Sequence, residues 1–84
     1  MASVEDRVRQ VTARVLNVSG NDIKPADNFA MDLGAESVQA IELVANFEEE
    51  FGIEMDEEEA LGVENFGSAV EYITKVCKEQ GIVT

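Results

Sequence analysis

Apolar residues at Val4, Val8, Val11, Val15 and Leu16 recur at steps of four, three, four and one, which is one face of an amphipathic helix and cannot serve as an alternating strand. The spacing predicts a helix over about Ser3 to Asn17, with Ser3 able to cap its start. The same period returns twice more. Ala40, Val44, Phe47 and Phe51 fall within a sector of about 60° at 100° per residue, with Ile41 at its edge, so a second helix over Ser37 to Phe51 should bury that face. Gly52 can end it in the left-handed conformation. A last helix should begin after Asn65, with Phe66, Val70, Ile73, Val76 and Cys77 inward. Between them, Asp56 with Glu59 three residues on resembles a capping box, and Gly62 supplies a stop, so a short third helix fits.

Residues 18–36 hold no period and carry Gly20, Asn21, Pro25, Asn28 and Gly34, which punctuate turns. A connection of this length is uncommon unless it has a function. Its apolar residues Ile23, Phe29 and Leu33 should anchor it against the helices. With no strand pattern in competition, the expected fold is all-α: one domain over residues 1–84, a small four-helix bundle of three longer helices, one short third helix and a long first loop.

Charge restricts the partners. Eighteen acids against six bases leave a net charge of −12, which opposes binding to nucleic acid or to anionic membranes. Only Glu5, Asp6, Asp22 and Glu79 lie outside residues 25–74, so that stretch holds fourteen acids, with no Lys or Arg among them. Partners should therefore be basic. Apolar residues interleaved with the acids argue against a disordered tract. One cysteine cannot form an internal disulfide, and Cys77 on the apolar face of the last helix reads as a core residue. No apolar run is long enough to insert in a membrane, and the acidic start Val4-Glu5-Asp6 is unlike a signal peptide, so a cytoplasmic monomer is expected. The cluster Glu54, Asp56, Glu57, Glu58 and Glu59 lacks the spaced ligand loop of a calcium site, and no dedicated metal site is expected. Diffuse binding of divalent ions that relieves the repulsion is the more plausible reading of those acids.

Ser37 stands at the head of the second helix, where unpaired N–H groups and positive partial charge favour a phosphate. A nucleophilic serine needs a base, and the chain has no histidine and no Ser-x-x-Lys motif, so hydrolytic catalysis is not expected. Ser37 reads either as a plain cap or as an attachment point. Val38, Glu42, Ala45 and Glu49 continue from it at i, i+4, i+7 and i+11 as an exposed stripe of alternating apolar and acidic groups. Such a stripe suits docking of a basic, partly apolar partner.

The run Asp32-Leu33-Gly34-Ala35-Glu36-Ser37-Val38, then Ile41-Glu42-Leu43-Val44, then Phe47-Glu48-Glu49-Glu50-Phe51-Gly52-Ile53, and finally Tyr72-Ile73, closely resembles the acyl carrier proteins over essentially the full chain. The resemblance implies a non-catalytic carrier. Its Ser37 would be esterified with 4'-phosphopantetheine, transferred from coenzyme A by a separate phosphopantetheinyl transferase, and its cargo would be acyl groups held as thioesters. It further implies delivery to acyl-processing enzymes with basic patches, met by Asp32, Glu36, Val38, Glu42, Ala45 and Glu49. Fatty acid biosynthesis, or a specialised lipid or polyketide pathway, is the setting implied. An aminoacyl or peptidyl carrier of the same fold, or an unmodified acidic scaffold, are the alternatives. The chain departs from the family pattern at Glu36 (usually Asp), Val38 (usually Leu), Gln39 (often acidic), Ala45 (often larger) and Asp56 (often Pro). The longer Glu36 should cap less well than aspartate and loosen the attachment site, and the departures together point to a specialised carrier.

Overall fold

The computed structural model describes residues 2–84, so Met1 of the expected domain lies outside the described residues. It contains α1 (Val4–Leu16), a 3-10 turn (Gly20–Asp22), α2 (Ser37–Phe51), α3 (Glu57–Leu61) and α4 (Phe66–Glu79), and no strand among the described residues. The all-α four-helix expectation holds, including the short third helix and the long first connection. Local chemistry sets the helix starts. The Ser3 hydroxyl accepts from the Asp6 N–H at 3.1 Å, Asp56 accepts from Glu59 N–H at 2.9 Å, and Asn65 accepts from Ser68 N–H at 2.9 Å. Gly52 ends α2 at φ 66°, a left-handed conformation costly for residues with a β-carbon. Gly62 closes α3 in the right-handed region instead, at φ −77°.

The core is drawn from α1, α2, α4 and the segments beside them, with Val8 and Val11 of α1, Phe47 and Phe51 of α2, and Phe66 and Ile73 of α4 at its centre, while α3 buries none of its residues. Ile23 is buried, while Phe29 and Leu33 are half-buried against it, so the long loop is anchored through the three residues expected. Two inward assignments need correction. Ile41, placed at the edge of the buried sector, is 51 % exposed, whereas Leu43 on the opposite flank is only 4 % exposed. The buried sector of α2 is thus turned by about 30° from the centre of the apolar stripe, toward Leu43. Ala40 and Val44 are left half-buried. On α4, Val70 is half-buried and Ala69 is buried.

Two arginines of α1 act inside the fold. Arg7 donates from Nε to Glu50 Oε2 at 2.8 Å and from Nη2 to the Glu50 carbonyl at 2.7 Å, and its guanidinium lies 4.3 Å from the Phe51 ring centroid. It ties the start of α1 to the end of α2. Arg9 donates to the carbonyls of Gly20 and Ile23 and covers the Phe66 ring at 4.9 Å, which closes the 3-10 turn onto the bundle. Such stacked, multiply bonded guanidiniums are not interchangeable with lysine.

The long loop is joined to the start of α4. Phe29 N–H donates to the Glu64 carbonyl at 2.9 Å, Phe66 N–H to Asp27 at 2.9 Å and Gly67 N–H to Pro25 at 2.9 Å, around an antiparallel bridge between Asn28 and Asn65. A β-carbon on Gly67 would stand 3.0 Å from the Pro25 carbonyl oxygen, so this approach depends on glycine. The α2–α3 link is pinned differently. Gln80 accepts from Glu54 N–H at 3.0 Å and donates to its carbonyl at 2.6 Å, and Glu48 accepts from Met55 N–H at 2.8 Å.

Candidate functional site

Residues 28–35 form a wound turn that delivers the chain to α2. Asn28 is its hub. Its Oδ1 accepts from the N–H groups of Ala30 and Met31, each at 2.9 Å, and its carbonyl accepts from Asp32 and Leu33. Its own N–H donates to Asp32 Oδ2 at 2.7 Å. Gly34 takes φ 74°, and Ala35 N–H returns to the Phe29 carbonyl at 2.8 Å. The backbone then enters α2 through Glu36 in an extended conformation, at φ −86° and ψ 167°.

Ser37 is the first helical residue and is exposed, and its hydroxyl makes no hydrogen bond among the described residues. It sits at the positively polarised end of a 15-residue helix, where first-turn N–H groups have no carbonyl partner. No acid occupies that first turn, although acids fill the first turns of α1 and α3. An unencumbered hydroxyl at the positive end of a helix fits esterification by a phosphate-bearing group.

Ser37 stands on the rim of an open apolar cleft of about 400 Å³. Ala40, Leu43, Val44 and Phe47 of α2 form one wall, Ala60 and Leu61 of α3 another, and Ala69, Tyr72 and Ile73 of α4 a third. Asn28, Phe29, Ala30 and Ala35 of the wound turn form a fourth, and Met55 also lines the cleft. The rim includes Met31, 87 % exposed, and Leu61, 42 % exposed. These two rim residues were not singled out from the sequence, because neither loop position nor a one-turn helix shows which side chains flank a cleft. Asn28 could have been found, since an Asn two residues before a turn commonly holds that turn's N–H groups.

The six expected docking residues, Asp32, Glu36, Val38, Glu42, Ala45 and Glu49, are all exposed, and Val38 is 66 % so. Asp32 has an additional duty, because one of its carboxylate oxygens holds Asn28 within the turn. Glu36 is not a freestanding cap. Gln39 Oε1 accepts the Glu36 N–H at 2.9 Å, so the support runs from the first turn back to the capping residue.

Titration around the cleft follows burial and charge. Desolvation pushes the Tyr72 phenol above its ordinary value, and the carboxylates of Glu59, Asp56, Glu79 and Glu48 push the same way. Burial raises the Cys77 thiol, against an opposing pull from Arg7, which keeps the sulfur a protonated core group. Among the described residues no group of three or more His, Cys, Asp or Glu side chains is arranged to hold a metal ion. No described helix is long and apolar enough to cross a membrane.

The structure is similar to that of an acyl carrier protein from Enterococcus faecalis described for its high thermal stability, with a TM-score of 0.70 and 28 % identity over 89 % of this chain and 99 % of that one. It is also similar to a chain in a non-covalent extended docking domain complex of the Pax NRPS, PaxA T1-CDD with PaxB NDD. There the TM-score is 0.77 with 19 % identity, over 95 % of this chain and 74 % of that one, a likeness of fold. The family model described as the phosphopantetheine attachment site matches residues 6–73. A four-helix bundle with that match is a carrier domain, and the chain belongs to the phosphopantetheine-attachment family, whose prosthetic group is 4'-phosphopantetheine.

Proposed function

We propose that this single-domain chain is a non-catalytic carrier whose Ser37 receives 4'-phosphopantetheine and which conveys acyl groups between partner enzymes. The observation that carries this reading is the exposed, unbonded Ser37 hydroxyl at the tip of α2, on the lip of an apolar cleft. In the modification, a bond forms between Ser37 Oγ and the phosphorus of coenzyme A as the pyrophosphate bond breaks. The adenosine bisphosphate portion leaves, and the hydroxyl proton passes to a base on the transferase, consistent with a chain that has no histidine of its own. When bound, the group supplies a terminal thiol that holds cargo as a thioester.

The chain's own residues then orient and shelter. Asp32, Glu36, Glu42 and Glu49 surround Val38 and Ala45 with negative charge, which suits the transferase and acyl-processing enzymes that present basic, partly apolar surfaces. The cleft, lined by Val44, Phe47 and Ile73, favours an aliphatic acyl cargo over an aminoacyl or peptidyl one, whose polar groups would lack partners there. Such a cargo suits a carrier in fatty acid biosynthesis or a specialised lipid or polyketide pathway of the cytoplasm.

Intact-mass measurement after incubation with coenzyme A and a broad-specificity phosphopantetheinyl transferase tests the assignment. The native chain gains one arm and Ser37→Ala gains none; no gain in the native chain leaves the unmodified scaffold reading. Comparing amide shifts of free-thiol, aliphatic-acyl and aminoacyl forms then tests the cargo. Shifts at Phe47 and Ile73 in the aliphatic form alone support the acyl reading, and shifts confined to the surroundings of Ser37 in all forms reject it.

A further inference from the structure

We propose that Gln39 is the positioning residue for Ser37: by holding the Glu36 N–H, its amide oxygen fixes the backbone from which the Ser37 hydroxyl is presented. The inference rests on the assignment of Ser37 as the modified residue and concerns how that residue is held.

The four α-helices begin in different ways. In α1, α3 and α4 a short side chain at the capping position, Ser3, Asp56 or Asn65, folds forward onto a first-turn N–H at 2.9–3.1 Å. In α2 the longer Glu36 side chain at the capping position faces the Gln39 N–H in a capping box, and the well-formed bond is the reciprocal one, in which the Glu36 N–H donates to Gln39 Oε1 at 2.9 Å. α1 contains a backward bond too, but there Asp6 meets Ser3 N–H at 3.4 Å and only supplements the forward one. Gln39 is half-buried, in keeping with a side chain laid along the helix and not extended into solvent.

The effect on Ser37 is direct. Its hydroxyl has no hydrogen bond among the described residues, so the backbone alone aims it. That backbone is tied at two successive N–H groups immediately before it: Ala35 to the Phe29 carbonyl at 2.8 Å, and Glu36 to Gln39 Oε1. The first tie belongs to the wound turn and the second to the helix. Without the second, the joint between turn and helix pivots at Glu36, and the first turn frays at the residue that must meet the incoming phosphorus. Gln39 is neutral and takes no proton in the reaction. Its contribution is the fraction of time in which Ser37 Oγ points away from the rim in one direction.

Gln39→Met and Gln39→Glu in the full chain separate this role from others, since Gln, Met and Glu have nearly equal helix propensity and only Met lacks the acceptor. Two quantities are read: hydrogen exchange of the Glu36 amide in the unmodified chain, and steady-state kinetics of arm transfer from coenzyme A by the transferase. Gln39→Met speeds Glu36 exchange about fivefold and lowers kcat for transfer by a similar factor, with KM for the carrier unchanged because the acidic stripe is intact. Gln39→Glu returns both to within about twofold of the native chain, the range of a conserved cap. Unchanged Glu36 exchange in Gln39→Met overturns the proposal, as does a loss confined to KM, which makes Gln39 a contact with the transferase. Failure of Gln39→Glu to restore the amide also overturns it. All three leave Ser37 as the attachment residue, whereas a native chain that accepts no arm removes that assignment and this inference with it.

Discussion

Two of the walls of the cleft beside Ser37 are unlike. Residues 28–35 are irregular in backbone, yet Asn28, Asp32 and Ala35 wire them into a closed turn, and three further bonds fasten their stem to the start of α4. α3 is regular in backbone, yet none of its five residues is buried, and it is held mainly through the links at its ends. Regular secondary structure and firm attachment are therefore separate properties. Anchorage comes from buried apolar area and long-range bonds, not from helical dihedrals. On the proposed reading, in which Ser37 carries the arm and the cleft admits cargo, one fixed wall and one lightly held wall serve the two needs.

The comparison breaks most sharply at the footing of the fixed wall. Phe66 is fully buried where the loop meets α4, and Phe66→Ala should lower unfolding free energy by about 3–5 kcal/mol. That is a large part of the margin of so small a domain, and the urea midpoint reports it. Alanine at Glu57, Glu58 or Leu61 in the lightly held wall should change that midpoint by no more than about 0.5 kcal/mol in equivalent stability. Equal losses in the two walls would erase the distinction.

A smaller effect sharpens it. Asn28→Ala removes the acceptor of the Ala30 and Met31 N–H groups and should cost about 1–2 kcal/mol. Its signature is local: amide exchange should rise over residues 28–35 and remain unchanged over 57–61. A uniform rise across both walls would mean that the turn is not an independent unit.

The smallest effect is a pH dependence on the light side. The Tyr72 phenol is raised by burial and by the carboxylates of Glu59 and Asp56 at α3, so the folded state holds its proton more tightly than the unfolded chain does. Its contribution to stability is fully present below the ordinary phenol value of about 10 and is lost as pH rises through the raised value. Tyr72→Phe should therefore lack part of the alkaline decline in Tm seen in the native chain above about pH 10. Parallel declines in the two proteins would remove Tyr72 as the cause.

Much of this was legible because the relevant physics is local. The 3.6-residue period and the caps placed α2 at Ser37–Phe51 with Gly52 left-handed beyond it, and Asn65 at the head of α4, from residues within a turn of each boundary. The charge asymmetry, the missing histidine and the ordered family motifs were equally properties of the chain as written. The flank of α2 that is buried was not. Leu43 and Ile41 are both large and aliphatic, and only the tertiary packing around α2 left the first 4 % and the second 51 % exposed. The double use of Asp32, the pinning of Glu54 by Gln80 and the cleft itself likewise depend on residues distant in sequence. Periodicity states how wide an apolar face is, but the neighbours that cover it decide where it is closed and where a space remains.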